Sequence, residues 1–195
     1  MAWTSTLTGS NPDVQRTNLI RERKYYGIAL ASLKVWDAME TNLPGTAAND
    51  DCAIITGTAG TDMPTIQAGD FGLTTIARKF GLEFCLPPEY DDGQVVLIRI
   101  SAACLTTIAD NYCRADFQVY EGTRAGAVGA DLCTTAATSI NSLTHADYDF
   151  VVTATGLAAG DRLHIVGNLE ADDAGDLGVM IPEIAVLEIG LDVKG

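Results

Sequence analysis

Histidine is almost missing from this chain: His145 and His164 are the only two in 195 residues. A catalytic zinc takes three protein ligands, so such a site would have to add Cys or carboxylate ligands to both. Basic residues are scarce too, with 12 Lys and Arg against 26 Asp and Glu and a net charge of −14. A chain this acidic repels phosphate backbones, which argues against a nucleic-acid partner. There is no C-x-x-C pair, and the cysteines (Cys52, Cys85, Cys104, Cys113, Cys133) are odd in number. That points to free, buried thiols rather than a disulfide scaffold or a zinc knuckle. No run approaches the ~20 apolar residues of a membrane span, so no membrane partner is expected. Met1 to Asp13 has neither the basic region nor the apolar stretch of a signal peptide, so synthesis in a reducing cytoplasm is expected. G-x-S-x-G, a P-loop and a G-x-G-x-x-G opening a helix are all missing, so neither an enzyme nor a cofactor is expected.

What is present is a globular composition, 47% hydrophobic and 19% charged. A chain of this length buries roughly 70% of its unfolded surface and needs no staple. Its charge is uneven. Residues 1–80 hold seven basic and eight acidic side chains, a net of −1; the remainder holds five and eighteen, a net of −13.

Three segments follow. Residues 1–24, rich in Thr, Ser and Asn and ending in Arg21-Glu22-Arg23-Lys24, read as an extended N-terminal arm. Residues 25–77 read as loop-rich with short strands, packing on the body or on neighbours. Tyr25 to Met39 leans towards short extended pieces, because Gly27 sits badly in a helix. A strand is expected near Cys52–Ile55, between two Gly-Thr-Ala turns. Residues 78–195 read as an all-β antiparallel sandwich. Phe80, Leu82, Phe84 and Leu86 share one parity, and Pro87-Pro88 ends that strand. Val96, Ile98, Ile100, Ala102 and Cys104 share a face, as do Cys113, Ala115, Phe117 and Val119. Tyr148–Val152, Leu163–Leu169 and Leu187–Val193 continue the pattern. The 96–104 and 113–119 segments are expected to pair as a hairpin with partner numbers summing to 217, so that Ile100 meets Phe117 and Cys104 meets Cys113. The loop then lies near Thr107–Asn111, and a Cys104–Cys113 disulfide becomes available in an oxidising medium.

The polar residues offer few constellations. Ser142, His145 and Asp147 lie within six residues, whereas catalytic triads assemble from distant parts of a chain, so this cluster reads as a turn. His164 reads as a solvated strand residue. Asp91-Asp92-Gly93 reads as a turn, and Asp172, Asp173 and Asp176 are the acidic residues to watch for calcium, although they lack EF-hand spacing. Aromatics amount to 7%. Trp36, Tyr90, Tyr112 and Tyr120 are spread along the chain, while Trp3, Tyr25 and Tyr26 sit in or beside the arm. With Arg21, Arg23 and Lys24 these last three are the candidate protein-contact residues.

The segment Phe84-Cys85-Leu86-Pro87-Pro88-Glu89-Tyr90-Asp91-Asp92-Gly93-Gln94 has the look of a strand and turn opening a jelly-roll-like unit. Together with Ala130–Ala137, Leu157–Leu163 and the closing Leu191-Asp192-Val193-Lys194-Gly195, it resembles virion structural proteins from tailed-phage structural gene clusters. The resemblance spans roughly residues 25–195 and marks strand ends and turns, with no functional residue to carry over. It implies a jelly-roll-like capsid decoration protein on the outer surface of a phage head. Such a protein would contact the major capsid protein or other virion proteins and self-associate, as a homotrimer. The alternative is a head or tail appendage module that recognises a cell-surface glycan.

Overall fold

The computed structural model describes residues 22–58, 61–70, 76–106, 112–122, 128–172 and 179–194. Trp3, Arg21, Asp173 and Asp176 lie outside the described residues. The early strands are short: β1 (Glu22–Gly27), β2 (Lys34–Val35), β3 (Ala38–Asn42), β4 (Ala53–Ile55) and β5 (Thr65–Gln67), with a 3-10 turn at Leu30–Ser32. The body follows in β6 (Ile76–Cys85), β7 (Val96–Cys104), β8 (Cys113–Gly122), β9 (Thr138–Ser139), β10 (Ala146–Val152), β11 (Arg162–Ala171) and β12 (Pro182–Val193). No helix among the described residues is long and apolar enough to cross a membrane.

These strands make two antiparallel sheets stacked as a sandwich. Sheet A runs β10-β7-β12-β5-β4, with β1 also on β12; sheet B runs β3-β2-β6-β11-β8-β9. The long strands change sheet at every step: β6 in B, β7 in A, β8 in B, β10 in A, β11 in B, β12 in A. The expected hairpin is therefore corrected. β7 pairs with β10 and β12, and β8 with β11 and β9. The physical reason is that two strands with matched apolar faces can meet side by side or across a core. The connection from Leu105 to Tyr112 is long enough to cross the ~10 Å between stacked sheets. The alternation itself is correct: Ile98, Ile100, Ala102, Cys104, Cys113, Ala115, Phe117 and Val119 all point into the core.

Phe117 of sheet B meets Phe150 of sheet A at 4.8 Å between ring centroids, and Phe80 edge-on at 6.0 Å. Each such buried side chain contributes roughly 1.5–3 kcal/mol relative to exposure. A bulge between Ile184 and Val186 extends β12: it turns both Ile184 and Leu187 inward, although three positions separate them. Glu22, Arg23 and Lys24, read from sequence as the end of the arm, form the first half of β1 on the sandwich edge.

Candidate functional site

The outer face of sheet A carries two of the expected contact residues, Arg23 and Tyr25, and there they are engaged by neighbouring strands. Arg23 of β1 makes a forked pair with Asp192 of β12, at 2.8 and 3.2 Å. Tyr25 sits opposite Gly190, and its ring carries the Arg99 guanidinium at 4.3 Å. Arg99 in turn grips both oxygens of Asp149, at 2.7 and 2.8 Å. That contact holds the Asp149 carboxyl below its ordinary range and raises Arg99. Tyr26 packs edge-on to Phe84 and donates to Glu89 Oε1 at 2.9 Å. Burial is the largest reason its phenol is raised. Lys24 lies opposite Leu191 in the same strand pair.

Further along this face, Glu183 of β12 is 7% exposed. It accepts from Thr65 Oγ1 at 3.0 Å and Gln67 Nε2 at 2.6 Å, while His145 Nε2 lies 3.2 Å from its other oxygen. A histidine thus meets a carboxylate from a remote strand, but no nucleophile hydrogen-bonds to that histidine in this cluster. Ser142 is spent on its turn, donating to Thr144 O and accepting from the Thr144 amide, each at 3.1 Å. Asp147, two residues after His145, lies opposite Ser101. His164 falls on the outer face of sheet B between Glu83 and Tyr120. Among the described residues no three His, Cys, Asp or Glu are placed to hold a metal ion. The Asp172 amide donates to Tyr112 O at 2.9 Å.

A recess lies on the edge of sheet B. It is a groove of about 510 Å³ lined by Ile28, Ser32, Lys34, Met39, Glu40, Leu82 and Glu83. Each wall has a local cause. Leu33, Val35 and Leu43 bury themselves in the core and so fasten the β2–β3 ribbon. That ribbon reaches β6 through Lys34 opposite Gly81. A Cβ at Gly81 would lie 2.6 Å from Met39 Sδ, so the missing side chain is what lets the thioether lie on the sheet. Trp36, at the ribbon's turn, is held by its Nε1–H to Asp50 Oδ2 at 3.0 Å and by Lys79 at 4.2 Å from its ring. Ser32 and Lys34 are engaged, with Ala29 O and Asn42 Oδ1, each at 2.6 Å. Glu83 is exposed and only 3.7 Å from Arg162, a loose ion pair. Glu40 is exposed at the rim.

Sequence reasoning passed over this groove because its polar residues come from four separate elements, the 3-10 turn, β2, β3 and β6. The one local signal is Gly81, a glycine inside an otherwise alternating strand, which marks close approach of something else. Glu183 had a comparable signal, as a lone acid within the run Val179–Leu187.

No family model matches the chain, and no curated protein does. Solved structures of similar shape include the CBM22-1 xylan-binding domain from Paenibacillus barcinonensis Xyn10C, at 16% identity and TM-score 0.40, covering 77% of this chain and 86% of that one. TmCBM61, solved in complex with beta-1,4-galactotriose, is 12% identical with TM-score 0.39, covering 86% of each chain. A family 16 carbohydrate binding module is 8% identical with TM-score 0.39, covering 75% of this chain and 88% of that one. Likeness of this degree assigns no function to this chain.

Proposed function

We propose that this chain is a non-catalytic binding module, of the virion-appendage type, that takes a glycan in the groove between β6 and the β2–β3 ribbon. The observation that carries this reading is the lining. Ile28 and Met39, backed by the buried Leu82, offer an apolar surface beside a polar rim of Ser32, Lys34, Glu40 and Glu83, in about 510 Å³. That volume is in the ~300–1,000 Å³ range of small-ligand sites. A sugar ring is itself amphipathic, with C–H faces and hydroxyl edges, and so matches such a lining. The outer face of sheet A fits a soluble ligand less well, because its ions and Tyr25 are spent on each other. The test is calorimetric titration with a panel of neutral oligosaccharides, on the intact chain and on Met39→Asp. Binding that the substitution removes supports the reading; a panel that binds nowhere, or equally well to both, overturns it.

A capsid decoration role is the second reading. It is favoured by the flat outer face of sheet A, where Tyr25, Val151 and Val186 are exposed at 36%, 41% and 44% beside the paired ions. Rigid, ion-patterned strands with scattered apolar groups suit a protein neighbour. Such a module would assemble as a trimer on the outside of a shell. Mass in solution and co-sedimentation with empty shells test it: a monomer that ignores shells overturns it.

A further inference from the structure

Resting on the groove being the glycan site, we infer that it selects amine-bearing sugars and discriminates against sugar acids. The groove holds two carboxylates, Glu40 and Glu83, and one ammonium, Lys34. The ammonium donates one of its three N–H groups to Asn42 Oδ1 at 2.6 Å. Arg162 reaches Glu83 only at 3.7 Å, with both side chains about half exposed. His164 is the other titratable group beside Glu83 on β11, and Tyr120 lies beyond it. A ligand cation entering the groove therefore meets two carboxylates that are not fully matched, while a ligand carboxylate meets those two like charges against the single ammonium of Lys34. The field of the rest of the molecule acts the same way, since residues 81–195 carry a net of −13. It attracts a cation and repels an anion before contact.

Exposed ion pairs are individually small, so a protonated amino sugar should bind about three- to tenfold tighter than its N-acetylated form. The sugar acid should bind more weakly than either. The preference should fade at about 1 M salt, where screening acts within about 3 Å.

The experiment compares tetramers of glucosamine, N-acetylglucosamine and galacturonate by calorimetry near pH 6. The expected order is amine, then neutral, then acid. In the double variant Glu40→Gln and Glu83→Gln the ratio of amine to neutral affinity should fall to about one, and a circular-dichroism spectrum and urea midpoint matching the parent show that the variant is folded. Equal binding of the amine and neutral tetramers by the intact chain overturns the inference and leaves the glycan reading standing. So does an amine preference that survives the double substitution. Failure of all three tetramers overturns the glycan reading, and the inference with it.

Discussion

The Tyr25 ring lies against Gly190 of the neighbouring strand. A Cβ at Gly190 would stand 2.8 Å from Tyr25 Cε1 and 3.4 Å from Leu97 Cβ. The same device recurs at Gly167, which faces the buried Phe80 ring, and at Gly81, which faces Met39. In each case a large side chain covers the backbone of a cross-strand glycine.

These three glycines should respond to alanine in a graded way. Elsewhere in a strand, alanine in place of glycine gains roughly 0.5–1 kcal/mol. Here the added methyl meets matter. Gly167→Ala drives into a ring that is fully buried and cannot move, so it should destabilise most. Gly190→Ala should cost about 1–3 kcal/mol and loosen β1. Gly81→Ala meets chiefly the flexible Met39 thioether, with the Trp36 Cα at 3.3 Å, and should cost least of the three, about 1 kcal/mol, while shifting Met39 into the groove. Urea denaturation of the three variants checks the order.

The Arg99–Asp149 pair makes a pH prediction. The hydrogen bond from Arg99 lowers the Asp149 carboxyl below its ordinary 3.8. A depressed acid contributes stability above its unfolded value and loses it as pH falls through its folded value. Both side chains are about one-third exposed, so the contribution is at most about 1 kcal/mol. Asp149→Asn should therefore be less stable than the parent at pH 7. The gap should close once pH drops well below 3.8. Denaturant midpoints at several pH values read this directly.

Cys104 and Cys113 are both fully buried, at facing ends of β7 and β8, and hydrogen-bond to each other. That contact lowers the Cys104 thiol to about 7 and raises Cys113. Treatment with a small disulfide reagent near neutral pH should join them. The two thiols lose two protons and two electrons, and the reagent is reduced to its thiols. Peptide mapping by mass spectrometry should find a 104–113 cross-link in the parent and none in Cys104→Ser. Recovery of both thiols unmodified from the folded chain would refute the pairing.

Glu183 fastens β5 to β12 through Thr65 and Gln67. Removing it strands two donors in a poorly hydrated place, which costs about 1–3 kcal/mol. Glu183→Ala should lower stability by that amount. Hydrogen exchange should speed up first in the β4–β5 ribbon, with the body strands unchanged. Glu183→Gln, which keeps one acceptor oxygen, should lose less.

Much of the architecture could be read locally. Alternation fixed which side of each long strand faces inward, from Phe80 to Val193. The turn formers at Pro87-Pro88 and Asp91-Gly93 lie where β6 has ended and the chain crosses to sheet A. The strand at Cys52–Ile55 is β4, one residue shorter; Thr65–Gln67, with a single apolar residue, gave no periodic signal and emerged only because β12 supplies its partner. The residues near the arm expected to make protein contacts are instead held by partners within the fold. Arg23, Tyr25 and Tyr26 look available in the sequence, and in the fold Asp192, Arg99 and Glu89 occupy them. The groove could not be read at all, since Lys34, Glu40 and Glu83 become neighbours only when the β2–β3 ribbon docks on Gly81.

The amino-acid order alone settled that this chain is built of strands and which residues are interior, because period-two burial is a property of each strand taken singly. Which strands share a sheet was settled only by the assembled molecule. An inward face matches a lateral neighbour and an opposite sheet equally well, and the choice depends on how the connections cross the core. The groove and the bonded ions on sheet A belong to that second category: they exist because distant segments were brought within a few ångströms by burial elsewhere.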